Sequence, residues 1–104
     1  MQLNKDIENK IHRIAIHYGH DSQLDQTIEE LAELTVAIRK FIRFKENASR
    51  SELVNLFYNL TEEVADVEIM LEQLKYLFPV IEDDVEKIKV EKLDRQIKRI
   101  CTCK

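Results

Sequence analysis

Apolar residues recur at intervals of three or four along most of the chain, a spacing that places them on one face of a helix. The first such stripe predicts an amphipathic helix over residues 3–18, which Gly19 would end. Its members are Leu3, Ile7, Ile11, Ile14 and Tyr18. His12 lies opposite this stripe, so we expect its side chain to be exposed to solvent.

The second predicted helix begins after a cap at Asp21 or Ser22 and runs to about Glu46. Its apolar residues cover most of the circumference, which is typical of a helix that is central or contacts another subunit. They include Leu24, Ile28, Leu31, Leu34, Val36, Ile38, Phe41 and Ile42. The remaining gap is polar and contains Gln26, Glu29, Glu30, Glu33 and Lys40. Charges on an otherwise apolar helix are costly, so this gap indicates either a function or an ordinary solvated face.

A turn at residues 47–49 leads into Ser49-Arg50-Ser51-Glu52, the pattern of a capping box, so a third helix should begin there. Its apolar stripe extends to Pro79, and one alternative is a break in the middle, because Thr61 can cap a fresh start. A fourth helix should begin near Ile81. We therefore expect an all-α fold: a four-helix bundle-like domain with a central antiparallel helical hairpin, completed by oligomerisation.

Length, charge and cysteine content restrict the class of protein. A chain of 104 residues is one domain, spanning residues 1–104, and its net charge of −4 argues against a general nucleic-acid binder. No apolar run approaches the length of a membrane span, and the N-terminus lacks the hydrophobic segment of a signal peptide, so we expect a cytoplasmic protein. Cys101 and Cys103 are too few and too close for a disulfide framework, and we expect reduced thiols.

Two short acidic runs are the main candidates for chemistry: Glu29-Glu30-Leu31-Ala32-Glu33 and Glu62-Glu63-Val64-Ala65-Asp66. In each run the three carboxylates fall within an arc of about 100° on a helix, so each run presents one acidic face. The pairs 30/66 and 33/63 are both centred on residue 48, in the predicted turn. An antiparallel hairpin brings the two faces to the same level, where carboxylates repel strongly unless cations lie between them.

An all-carboxylate cluster suits hard ions such as Mg²⁺ or Mn²⁺. Di-iron bundle proteins also use helix carboxylates, but they combine them with Glu-x-x-His, and no histidine here has Glu three residues before it. Magnesium ions in turn usually serve phosphates. Lys92, Arg95 and Arg99 form a basic stripe on the fourth helix, which is either a solvated face or a partner for the outer oxygens of a polyphosphate.

The motif Glu29-Glu30-x-x-Glu33, followed after 28 intervening residues by Glu62-Glu63-x-x-Asp66, resembles the signature of the MazG-like all-α nucleotide pyrophosphohydrolases. Weaker similarity extends from Tyr18-Gly19 with Gln23 to Lys92-Leu93-Asp94-Arg95, and so covers most of the chain. The resemblance implies Mg²⁺-dependent hydrolysis of a nucleoside triphosphate to a nucleoside monophosphate and pyrophosphate. It also implies a homodimer or homotetramer, because single-motif members of that family are commonly dimers or tetramers.

The resemblance further implies roles for individual side chains. The metal ligands would be Glu30, Glu33, Glu63 and Asp66. Glu29 and Glu62 would be further ligands or the group that orients the attacking water. Lys92 and Arg95 would hold phosphates, with Gln23 and Lys40 as further substrate contacts. We expect a deoxynucleoside triphosphate as substrate, without a nucleic-acid polymer or a membrane as partner. The competing hypothesis is a non-catalytic helical interaction module whose acidic face binds a basic partner.

Overall fold

The computed structural model of the protein describes the backbone of residues 2–102 and the side chains of residues 4–102. The predicted stripe position Leu3 and the thiol of Cys103 therefore lie outside the described side chains. The described backbone forms four helices and no strand, which confirms the predicted all-α class. They are α1 (Gln2–Tyr18), α2 (His20–Phe44), α3 (Arg50–Leu77) and α4 (Pro79–Thr102). Within this part of the chain, no helix has an apolar segment long enough to cross a membrane.

A single glycine joins α1 to α2. Gly19 has φ of +83°, a conformation that side-chain-bearing residues rarely adopt, and it lets the chain change direction within one residue. Its amide donates to the Ala15 carbonyl at 2.9 Å, and its own carbonyl accepts from the Gln23 amide at 3.1 Å. The prediction that Asp21 or Ser22 caps α2 is therefore wrong, because the helix already begins at His20 and has no side-chain cap.

The turn between α2 and α3 ends in the predicted capping box. The Ser49 hydroxyl accepts from the Glu52 amide at 3.2 Å, and the Glu52 carboxylate accepts from the Ser49 amide at 2.8 Å. These two bonds satisfy backbone donors that an uncapped helix leaves free. From there α3 is continuous, so the alternative of a break at Thr61 is excluded. The Thr61 hydroxyl instead donates to the Phe57 carbonyl of the preceding turn at 2.8 Å.

The joint between α3 and α4 is equally short. The Phe78 amide donates to the Leu74 carbonyl at 2.9 Å, and α4 begins at the next residue, Pro79. A proline suits the first helical position because its missing N–H would have no partner there. The helix therefore begins two residues before the predicted start at Ile81.

The antiparallel pair of α2 and α3 is the centre of the molecule, which confirms the predicted hairpin. Helix α1 packs mainly on α3, where the His12 ring stacks on Tyr76 with ring centres 3.8 Å apart. His12 is half-buried by this stacking, so its predicted exposure is wrong. The core is small, and half of its members are polar. The buried residues are Ala15, Val67 and Met70, together with Gln23, Thr27 and Gln73.

Candidate metal centre

Three glutamates meet across the α2/α3 hairpin. One carboxylate oxygen from each of Glu30, Glu33 and Glu63 lies within 4.8 Å of the other two. Glu30 and Glu33 are one helical turn apart on α2, and the register of the hairpin brings Glu63 of α3 to the same level. Three ligand atoms this close together can share one cation of the size of Mg²⁺ or Mn²⁺.

Two of these carboxylates have an oxygen without a partner. Glu30 and Glu63 are half-buried, and the Oε2 atom of each is shielded from solvent without a hydrogen-bond donor among the described residues. The other oxygen of Glu30 accepts from the Gln26 side chain at 2.9 Å. A shielded carboxylate oxygen without a donor is costly, since burial removes its hydration and nothing replaces it. A cation bound between the helices would remove that cost.

Burial and mutual repulsion act on the same groups. Burial raises the pKa of Glu30, and the charges of Glu33 and Asp66 raise it further against the opposing hydrogen bond from Gln26. Burial likewise raises the pKa of Glu63, with the charges of Glu33 and Asp66 as the next causes. Both shifts oppose the ionised form that a metal ligand needs. The cluster is therefore electrostatically unfavourable on its own and favourable around a cation.

The other predicted acidic residues are not members of this trio. Asp66 is exposed, and its charge and side chain are lesser causes of the raised pKa of Glu30. Glu62 is exposed, and its charge is a lesser cause of the raised pKa of Glu63. Glu29 is also exposed and lies outside the trio. The structure thus brings three of the four predicted metal ligands into one cluster, and Asp66 is near enough for its charge to act on Glu30 and Glu63. Glu29 and Glu62, the two predicted water-orienting residues, are not members of that cluster.

An open groove of about 400 Å³ adjoins the acidic cluster. Its walls carry Glu33 and Glu63, and next to them Lys40 and Asn59. Lys40 is seven residues after Glu33, and Asn59 is four residues before Glu63, so each lies on the same helix face as its acidic neighbour. The sequence predicted Lys40 as a substrate contact but did not assign Asn59 to the site, although this helical spacing was a usable signal.

The remaining predicted substrate contacts lie elsewhere. Lys92 and Arg95 are exposed on α4, a helix without a buried residue among those described, and neither lines the groove beside the cluster. Gln23 is only 3% exposed, and its Oε1 has no donor. Gln73 of α3 is 2% exposed with an equally unpaired Oε1. The substrate roles of Lys92, Arg95 and Gln23 stay predictions.

Comparison with protein-family models, curated proteins and solved structures finds no match for this chain. The chemistry of the site must therefore be inferred from its own residues. The cluster offers carboxylate oxygens and no histidine or cysteine, a donor set that suits hard cations with octahedral oxygen coordination. One cationic side chain, Lys40, and one amide, Asn59, lie beside it in the groove. This combination suits a ligand that carries several negatively charged oxygens.

Proposed function

We propose that this protein is a Mg²⁺-dependent nucleoside triphosphate pyrophosphohydrolase, which converts a nucleoside triphosphate to the monophosphate and pyrophosphate. The observation that carries the proposal is the pair of shielded, unpaired oxygens on Glu30 and Glu63, which converge with Glu33. Such an arrangement is unfavourable unless a cation is bound. The resemblance of the two acidic motifs to the MazG-like family supplies the reaction.

Each group of residues has a distinct task in this function. Glu30, Glu33, Glu63 and Asp66 would hold the metal. Bound Mg²⁺ supplies positive charge that polarises phosphate oxygens and stabilises the leaving pyrophosphate. Lys40, at the wall of the groove, pairs with phosphate oxygens beyond the metal ligands. Lys92 and Arg95, which do not line that groove, are proposed as additional phosphate contacts.

Water is the proposed nucleophile. Glu29 or Glu62 accepts a hydrogen bond from this water, orients it toward the α-phosphorus and takes up its proton. The new bond joins the water oxygen to the α-phosphorus, and the bond from that phosphorus to the oxygen bridging to the β-phosphorus breaks. The products are the monophosphate and pyrophosphate, with one proton released to solvent.

Isotope labelling tests the reaction. In ¹⁸O-labelled water with Mg²⁺, a panel of nucleoside and deoxynucleoside triphosphates should yield labelled monophosphate and unlabelled pyrophosphate. Label in pyrophosphate would mean attack at the β-phosphorus, and stepwise release of inorganic phosphate would refute the proposed reaction. Glu63→Gln should abolish turnover. Glu68→Gln, which removes an exposed carboxylate of the same helix outside the cluster, is the matched control.

The alternative is a non-catalytic module whose acidic face binds a basic partner. Such a face gains little from a divalent ion and has no need for oxygens shielded from solvent. The absence of hydrolysis across the panel, combined with metal-independent binding of a basic peptide, would favour the module over the enzyme.

A further inference from the structure

The groove beside the acidic cluster continues toward the turn of the hairpin. This further part, here called the tip groove, has a volume of about 380 Å³. Asn59 lines both parts, so they form one continuous groove along the α2/α3 hairpin. The acidic cluster and Lys40 occupy only one end of it. The polar and aromatic residues of the tip groove are Phe44, Asn47, Glu52, Asn55 and Asn59.

Three asparagines supply the hydrogen-bonding groups of the tip groove. Asn55 and Asn59 are one helical turn apart on α3, and Asn47 belongs to the turn that precedes this helix. All three are exposed, and the hydrogen bonds of the described residues at this end of the hairpin leave their side chains unpaired. A side-chain amide offers both donors and an acceptor. Nucleobase edges carry the same combination, whereas a phosphate needs only donors.

Phe44 supplies an aromatic surface beside these amides. Its side chain is 49% exposed. The Arg43 guanidinium lies 5.4 Å from the centre of the Phe44 ring, but Arg43 does not line the tip groove. Arg43 therefore covers a different side of the ring from the one that the groove exposes. Every nucleobase has a π-face that can stack on such a ring.

Charge gives the groove a direction. The Glu52 carboxylate accepts from the Ser49 amide at 2.8 Å, and this hydrogen bond lowers the pKa of Glu52. Glu52 is therefore ionised at neutral pH and repels phosphate. Among the described residues that line the tip groove there is no lysine or arginine, whereas Lys40 lines the part beside the acidic cluster. A ligand with phosphates at one end is thus oriented with its uncharged end toward the turn.

The length of the groove suits one nucleotide. Glu63 of the acidic cluster and Asn55 of the tip groove are two helical turns apart on α3, or about 12 Å along its axis. Asn59 lies midway between them. A nucleotide that has its phosphates at the cluster can therefore place its base in the tip groove.

We propose that the tip groove binds the nucleoside part of the substrate, with the base against Phe44 and the base edge hydrogen-bonded to Asn55 and Asn47. The phosphate chain then runs past Asn59 and Lys40 to the acidic cluster. This inference rests on the proposed hydrolysis of nucleoside triphosphates and names the residues that select among them. A site that pairs with the donors and acceptors of one base rejects a base that leaves them unpaired.

Calorimetry with Mg²⁺ on the full chain separates nucleoside binding from catalysis. The probes are α,β-methylene analogues of nucleoside and deoxynucleoside triphosphates, whose α–β bridge resists hydrolysis, and inorganic tripolyphosphate, which has no nucleoside. The wild type should bind the analogues with affinities that depend on the base. Phe44→Ala and Asn55→Ala should each weaken analogue binding about tenfold and leave the affinity for tripolyphosphate unchanged.

Matched variants exclude a general loss of structure. Phe57→Ala is the control for the ring, because Phe57 is 51% exposed and does not line the tip groove. Asn9→Ala, an exposed asparagine on α1, is the control for the amide. Both controls should bind the analogues as the wild type does. Phe44→Leu keeps an apolar side chain without the ring and should also weaken analogue binding. Asn55→Asp keeps the size and removes the donors, so it should change the order of affinities among the bases.

Amide signals give a direct readout of contact. In ¹⁵N spectra of the full chain, the side-chain amide signals of Asn47 and Asn55 should shift when a methylene analogue binds and not when tripolyphosphate binds. The side-chain signal of Asn9 should shift with neither. Analogue affinities that the tip-groove variants leave unchanged, or equal weakening of analogue and tripolyphosphate, would overturn the nucleoside site.

The hydrolysis assay distinguishes failure of the nucleoside site from failure of the proposed reaction. Pyrophosphate release at rates that do not depend on the base and are unaffected by Phe44→Leu and Asn55→Asp would overturn the site and leave the reaction standing. Nucleoside-dependent binding without hydrolysis of any natural triphosphate would support the site and refute the reaction.

Discussion

At the scale of single residues, the fold brings together acidic side chains whose charges repel one another. Helical spacing and hairpin register force Glu30, Glu33 and Glu63 together, and burial then raises the pKa of Glu30 and of Glu63. A protein without a use for this arrangement would be more stable with amides at the same positions. The cluster therefore destabilises the folded protein when no cation is bound and stabilises it when one is.

The first prediction concerns that cation. Mg²⁺ should raise the melting temperature of the wild type, because it binds the folded cluster and not the unfolded chain. Glu63→Gln and Asp66→Asn should each reduce this gain, measured by thermal unfolding with Mg²⁺ and with EDTA. Glu68→Gln should keep the gain. If the cluster variants respond to Mg²⁺ as strongly as the wild type, these carboxylates are not its ligands.

A second prediction concerns pH without metal. Because the pKa of Glu30 is raised in the folded protein above its ordinary value of 4.5, the folded state binds the proton more tightly than the unfolded state. Its contribution to stability is fully present below pH 4.5 and is lost as the pH rises through the raised pKa. In EDTA, urea unfolding should therefore show Glu30→Gln to be more stable than wild type at neutral pH. The two should converge in acid, and a constant difference would contradict this account.

A third prediction separates the cationic side chains. If Lys40 contacts phosphate, Lys40→Ala should slow turnover by an amount equivalent to about 2 to 4 kcal/mol and leave the metal-induced stabilisation nearly intact. Lys92→Ala and Arg95→Ala should also slow turnover if the basic stripe reaches the substrate. Lys98→Ala, an exposed lysine of α4 outside that stripe, is the control. Wild-type rates in both α4 variants would identify the stripe as a solvated face.

The site shows what spacing along a sequence can and cannot reveal. The meeting of Glu30 with Asp66 and of Glu33 with Glu63 followed from helical periodicity and the position of the turn. The shielding of one oxygen on Glu30 and on Glu63 did not, because it depends on how neighbouring side chains cover each atom. Asn59 was not assigned to the site although its spacing places it on the same helix face as Glu63, because an uncharged amide does not by itself indicate a binding role.

At the scale of helices, the ends were predictable only where a side chain decides them. The Ser49 and Glu52 capping box was correctly predicted, because both bonds are local in sequence. The start of α2 was misplaced, since backbone freedom at Gly19 lets the helix begin before Asp21 or Ser22 can cap it. Thr61 was an ambiguous signal because a threonine hydroxyl can either cap a helix or bond the preceding turn.

These helix ends give a fourth prediction with an internal control. Ser49→Ala removes the hydroxyl that accepts the Glu52 amide and should destabilise the fold by about 1 kcal/mol. Ser22→Ala removes a hydroxyl that caps no helix and should change stability much less. Urea unfolding of the two variants beside the wild type makes the comparison. Equal losses would mean that the capping box does not contribute to stability.

At the scale of the whole molecule, the fold has too little interior for a chain of this length. Its buried apolar residues are Ala15, Val67 and Met70. Five apolar residues of α2 are exposed: Leu24, Ile28, Leu31, Ile38 and Ile42. The sequence already indicated this, because the apolar residues of the second helix cover more of its circumference than one neighbour can bury. Which apolar residues of this helix stay exposed could not be predicted from sequence alone, since it depends on which face α1, α3 and α4 leave open.

The last prediction follows from this shortage of core. If folding is coupled to dimerisation through these exposed apolar residues of α2, the free energy of unfolding depends on protein concentration by mass action. A tenfold dilution should cost about 1.4 kcal/mol per dimer and lower the melting temperature by on the order of 3 to 6 °C. Thermal unfolding over two decades of concentration measures this slope. Ile28→Glu on α2 should lose the slope together with much of the stability. Ile16→Glu on α1 should keep it and is the matched control, because Ile16 is 65% exposed and Ile28 is 66% exposed. A melting temperature that does not change on dilution would mean that the small core of one chain is sufficient for folding.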